Sequence, residues 1–359
     1  MERFPRLRRV VIVGLQILAV AAAFYGSAQL GLMVGLVKGQ ISPFWPPTGI
    51  ALVALLLLGP QVWPGILLGA LLVESTQGPP AVALLTAAGT TLACVVAYRA
   101  LRKVGFRIEL DRLRDALALV FLAAFGGMLI SSTIGTVIRV AVGATEPSYF
   151  LPTWLTWWTG DAMGILTVGP LLLTAVKVPW RRTISTGMLL EVIALFAAAF
   201  VVVLVSARMF GILFLAFPLL VWAAWRFQLP GAAPVALLAS AAAIYTAVHG
   251  IGPFAGRGLF DTMMILQMFD GAVALTGLLL SVAIIERDRA RREIERTCER
   301  LGEVLDHFDR SAGAVRVTPP QAPAEQRTVL QESQRPKRVQ GPPYGGPGGT
   351  SPPVNGWLR

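Results

Sequence analysis

Long stretches of this chain carry almost no charge, and roughly 20 apolar residues as helix cross a hydrocarbon core of about 30 Å. Ten apolar segments can be read: residues 10–37, 46–58, 63–73, 80–100, 115–140, 151–176, 188–207, 210–225, 231–248 and 259–285. The first continues well past Ala21-Ala22-Ala23, where small residues would suit a signal-peptide cleavage site, so it reads as an uncleaved anchor. Segments 46–58 and 63–73 are short and are separated by Gly59-Pro60-Gln61, which ends or sharply bends a helix. They form either two tilted spans or a re-entrant pair, giving ten crossings or eight. The pattern predicts an all-α, polytopic transmembrane bundle of about 8–10 helices.

Composition agrees. Of the 359 residues, 55% are hydrophobic and 14% charged, against roughly 25% charged in soluble domains, and mean hydropathy is +0.66. A soluble globular protein is excluded. The net charge of +11 would by itself suggest a nucleic-acid partner, but its placement follows membrane topology. With the N-terminus in the cytoplasm, Arg3 to Arg9, Arg99 to Arg114, Lys177 to Arg182, Arg226 and Arg287 to Arg300 all fall inside, while the opposite loops carry little charge. Both termini come out cytoplasmic, whichever way the 46–73 pair runs. The basicity therefore reports orientation, and anionic headgroups rather than nucleic acid become the counterpart surface: the lipid bilayer is the expected partner. Cys94 and Cys298 stand in different settings, His249 and His307 are far apart, and no phosphate-loop, dinucleotide or zinc pattern is present. Neither a cofactor nor a metal site is expected.

Two stretches carry the most information. One is Phe44-Trp45-Pro46-Pro47-Thr48-Gly49, continuing through Trp63-Pro64-Gly65 to Leu68-Gly69-Ala70; the other is Trp154-Leu155-Thr156-Trp157-Trp158-Thr159-Gly160-Asp161-Ala162-Met163-Gly164, ending in Gly169-Pro170-Leu171. Together they resemble the MASE family of the first class, the bacterial membrane-associated sensor domains, over residues 10–286. The resemblance implies an integral-membrane sensory input module of eight or more helices in the inner (plasma) membrane, of the kind that usually precedes a cytoplasmic cyclase, phosphodiesterase, PAS or kinase domain. The chain has Glu74 where the family often carries Asn.

Each motif residue also has a packing explanation. Indoles favour the headgroup level, prolines suit a helix's first turn, and Gly49, Gly65, Gly69, Gly160 and Gly164 permit close helix approach. Acids within apolar segments are harder to dismiss, because a charge at the membrane centre costs at least about 2.5 to 3.5 kcal/mol. Asp161 lies about ten residues into its segment and Asp270 at similar depth in the last, with Gln267 one turn earlier. Arg139 and Arg208 are candidate partners. The candidate ligand- or signal-sensing residues are thus Trp45, Pro46, Pro47, Gly49, Glu74, Trp157, Trp158, Gly160, Asp161 and Asp270.

After Ile285 the chain becomes charged, and Ile294, Cys298, Leu301, Leu305 and Phe308 are spaced four, three, four, three, the seam of a short coiled coil. Residues 1–286 read as the sensor domain, 287–310 as a signalling helix that could pair two copies or meet a separate cytoplasmic or membrane partner, and 311–359, rich in Pro and Gly, as a disordered tail. No cyclase, phosphodiesterase or kinase motif follows, so no enzyme activity is expected. The leading function is a sensory input module; a small-molecule permease, and a sensor remnant without its output domain, stay open as alternatives.

Overall fold

The computed structural model describes residues 3–33, 42, 44–177 and 212–315, with scattered positions between 187 and 201. Most of the apolar segment 188–207 and of the tail 311–359 lies outside the described residues, as does the side chain of Phe308.

Among the described residues all regular structure is helical, as the hydropathy pattern predicts. The helices are α1 (Arg3–Met33), α2 (Pro46–Leu58), α3 (Trp63–Glu74), α4 (Pro80–Lys103), α5 (Leu113–Ala118), α6 (Met128–Ala141), α7 (Phe150–Met163), α8 (Gly169–Lys177), α9 (Ala216–Phe227), α10 (Leu229–Val248) and α11 (Leu259–Val315). Helices α5 and α6 join through a π-helical stretch, Leu119–Gly127, and α7 and α8 through another, Gly164–Val168. The second stretch is followed by Pro170, which cannot donate to the carbonyl one α-turn back, so local unwinding is the expected response. Among the described residues, six helical segments are long and apolar enough to cross a membrane: Arg8–Met33, Pro80–Lys103, Leu113–Ala141, Pro147–Val176, Leu229–Val248 and Phe260–His307. Their outward apolar side chains, such as Leu15, Leu18, Leu85, Phe121 and Met268, are exposed as lipid contact requires.

At 1.5 Å per residue, α2 and α3 are about 20 and 18 Å long, each short of the membrane core. Gly59 joins them at φ +90, a conformation that strongly favours glycine. Gly65 backs onto Ile17 of α1, and Gly69 onto Ala21 and Phe24, so α3 runs parallel to α1. Trp45, at the start of α2, meets Gly31 near the end of α1. The pair therefore starts and finishes at the same end of α1.

The chain divides into two compact units, Met1–Ile294 and Glu295–Arg359. In the first, one core joins α2, α4, the α5–α6 stretch, α7 and α11 through Leu52, Leu101, Leu119, Met128, Met163 and Leu278. A second joins α9, α10 and α11 through Leu220, Ala243, Leu266 and Val273. In the second unit Leu301, Val304 and Leu305 are exposed.

Candidate functional site

The two motif stretches, more than a hundred residues apart, form one contact. Pro46 and Pro47 occupy the first turn of α2, where no backbone donor is needed, leaving Trp45 as the cap. The Trp45 backbone N–H donates to the Gly160 carbonyl at 3.1 Å. The Thr48 hydroxyl lies 2.9 Å from both the Trp45 and the Asp161 carbonyls and is fully buried. Glycine makes this approach possible: a β-carbon at Gly49 would fall on the Gly164 carbonyl, and one at Gly164 on the Trp45 carbonyl and Thr48. Pro46, Pro47, Gly49 and Gly160 are therefore buried in the joint between α2 and α7 and do not line the cavity beside it.

Beside that joint lies a cavity with about 40 Å³ of room for the centres of water-sized molecules, walled by Trp45, Glu74, Thr90, Arg139, Trp157 and Asp161 and by the apolar side chains of Phe24, Leu32, Ala70 and Val73. Four candidate residues, Trp45, Glu74, Trp157 and Asp161, are thus brought together from α2, α3 and α7. Asp161 is 1% exposed. Ser131 of α6 and the Trp157 side chain are its hydrogen-bonding neighbours, and Ser131 Oγ is itself 3.4 Å from Thr90 Oγ1. The second carboxylate oxygen, Oδ2, is buried with no hydrogen-bond partner among the described residues.

Trp157 is held between two residues of α6. Gly135 leaves it space, since a β-carbon there would come within 2.5 Å of the indole ring, and the Arg139 guanidinium stands 5.4 Å from the ring centroid. Arg139 is also the charged neighbour of Glu74. Ser131, Gly135 and Arg139 repeat at four-residue intervals and so share a helix face; that spacing is the sequence signal that could have found Ser131 and Gly135, which the motifs do not contain.

The other two candidates sit elsewhere. Trp158 points away from the cavity, stacks 5.7 Å from Trp154, and donates through Nε1 to the Phe125 carbonyl at 2.8 Å. Asp270 of α11 is 1% exposed. It faces Ser240 of α10, yet among the described residues neither of its carboxylate oxygens nor that hydroxyl makes a hydrogen bond of ordinary geometry. One turn earlier, Gln267 Nε2 lies 3.4 Å from the Thr156 carbonyl of α7, next to Trp157.

At the other end of α11's apolar stretch a polar cluster ties the helix down. The Leu113 N–H donates to Glu286 Oε2 at 3.3 Å, Gln228 Nε2 to Asp288 Oδ2 at 3.3 Å, and Arg289 pairs with Asp111 at 2.5 Å.

Comparison with protein families gives one result: the family model MASE1 matches residues 15–288. No curated protein and no solved structure matches the chain.

Proposed function

Because the chain belongs to the MASE1 family of membrane-associated sensor domains, we propose that this multi-pass membrane protein receives its signal in the cavity at Trp45, Trp157 and Asp161, and relays it through α11. The observation that carries the reading is the convergence of both motif stretches on one cavity whose buried carboxylate keeps an unsatisfied oxygen. A buried acceptor without a donor is costly unless something supplies one, so a bound molecule is stabilising there. It can bias the protein only if its affinity differs between two conformations.

Charge distribution supplies the direction. The segment ends nearest the cavity, around Leu32, Ser42, Gln77 and Arg139, belong to the sparsely charged loops that the positive-inside rule places outside the cytoplasm. The ligand would therefore arrive from the outer face of the inner membrane, with both termini cytoplasmic. From Trp157 the contact between Thr156 and Gln267 reaches α11, and the Glu286, Asp288 and Arg289 contacts lie where that helix leaves its apolar stretch. The seam Ile294, Cys298, Leu301, Leu305 and Phe308 would pair two copies or engage a separate signalling partner. This is input without catalysis of its own.

The test is a fusion of a diguanylate cyclase domain in register after residue 308, assayed in membranes. Asp161→Asn and Trp157→Ala should change cyclase output several-fold, while Trp222→Ala, an exposed apolar position, should not. Output that ignores every substitution in the cavity would overturn the reading. The permease alternative draws on the broken α2–α3 pair and the buried acids; proteoliposome flux abolished by Asp161→Asn would favour it instead.

A further inference from the structure

We propose that the cavity takes the head of a small primary or secondary ammonium compound, with a ligand N–H donating to Asp161 Oδ2 and a short alkyl body lying against the apolar wall. This rests on the reading of the cavity as the place where the signal is received.

Charge comes first. The ionisable groups lining the cavity are Glu74, Arg139 and Asp161. Arg139 and Glu74 are charged neighbours and offset one another, while the hydrogen-bonding neighbours of Asp161, Ser131 and Trp157, are uncharged. With all three ionised, the lining sums to one negative charge, centred on Asp161, the most buried of the three. An unpaired carboxylate held out of water calls for a cation.

Geometry then narrows which cation. Oδ2 is an acceptor lacking a donor, so a ligand with N–H groups satisfies charge and hydrogen bond together, and charge-assisted bonds of this kind are the strong ones. A quaternary ammonium brings charge without a donor, and an alcohol brings a donor without charge. A bare metal ion would want several oxygen ligands, whereas among the described residues no group of three or more His, Cys, Asp or Glu side chains could hold one.

A water needs about 10 to 15 Å³ measured this way, so 40 Å³ admits roughly three heavy atoms, a nitrogen and two carbons. Phe24, Leu32, Ala70 and Val73 line the cavity alongside the acid and suit methylene groups. A fourth heavy atom, such as the methyl of n-propylammonium, would extend toward Gln77, which also lines the cavity.

The experiment uses the full chain in nanodiscs and follows intrinsic tryptophan fluorescence during titration with n-propylammonium, tetramethylammonium, n-propanol and sodium at constant ionic strength. Saturable binding of n-propylammonium is expected, about tenfold or more tighter than tetramethylammonium, with no saturable response to n-propanol or sodium. Asp161→Asn should abolish it and Asp270→Asn should not. Ala70→Leu, which fills the apolar wall without touching the carboxylate, gives a second variant should Asp161→Asn fail to fold, and it should also abolish binding. The proposal is overturned if n-propylammonium does not bind, if tetramethylammonium, n-propanol or sodium binds as well, or if binding survives in the folded variants. Failure of amine binding alongside a cyclase fusion that still responds to Asp161 would discard the ammonium and keep the signal-receiving cavity. Binding without any fusion response would do the opposite.

Discussion

Gly49→Ala puts one methyl group where the α2–α7 joint has no room. The added β-carbon would land on the Gly164 carbonyl and within 2.9 Å of Val168 Cβ. Overpacking of this kind costs about 1–3 kcal/mol, and the upper part of that range applies because the obstruction is backbone, which cannot rotate aside as a side chain would. If the helices separate to make room, the Trp45 bond to the Gly160 carbonyl weakens as well, worth about 1 kcal/mol more. Gly14→Ala is the matched control: it lies within α1 with nothing within 4 Å of its missing β-carbon, so alanine's better helix propensity should leave stability unchanged or raise it by up to about 1 kcal/mol. Thermal unfolding of both variants in the same detergent should show a clear loss for Gly49→Ala and none for Gly14→Ala. If the two variants behave alike, the joint is not what fixes α2 against α7.

Three further outcomes follow from particular contacts. Gln267→Leu removes the contact with the Thr156 carbonyl and should cut the response of a cyclase fusion to Asp161→Asn at least severalfold, while thermal stability falls by no more than about 1.5 kcal/mol. If Cys298 lies on a parallel two-stranded seam, mild oxidation in membranes should yield a cross-linked dimer that is lost in Cys298→Ser; the buried Cys94 cannot substitute for the exposed Cys298, and a wild-type chain that stays monomeric on a non-reducing gel would contradict the seam. Trp158→Phe keeps the ring but drops the donor to the Phe125 carbonyl, for an expected loss of about 1 kcal/mol in unfolding free energy with n-propylammonium affinity unchanged.

The spans were legible in the sequence because a membrane helix advertises itself by composition alone, and the segments at 80–100, 115–140, 151–176 and 231–248 reappear within a few residues as helices. The two informative stretches were legible too, since tryptophan, proline and glycine at short spacing are conspicuous in an apolar background. What they do was not. Nothing local says that Gly49 meets Gly164 or that Trp45 caps α2 against Gly160, because both contacts depend on how separate helices pack. Trp157 and Trp158 look interchangeable as neighbours, yet adjacent helical positions are about 100° apart, which sends one to the cavity and the other onto Phe125 and Trp154. Arg139 read as a possible partner for either Asp161 or Asp270; the fold places it beside Trp157 and Glu74.

The state of Asp161 should be felt at the C-terminal end of α11, and the native cysteine makes this directly measurable. A spin label attached to Cys298, which is exposed while Cys94 is buried, reports the local mobility of that helix in nanodiscs. Asp161→Asn should change the label's electron paramagnetic resonance line shape, and the same substitution in a Gln267→Leu background should change it far less. Identical spectra from the wild type and Asp161→Asn, both shown to be folded, would contradict it.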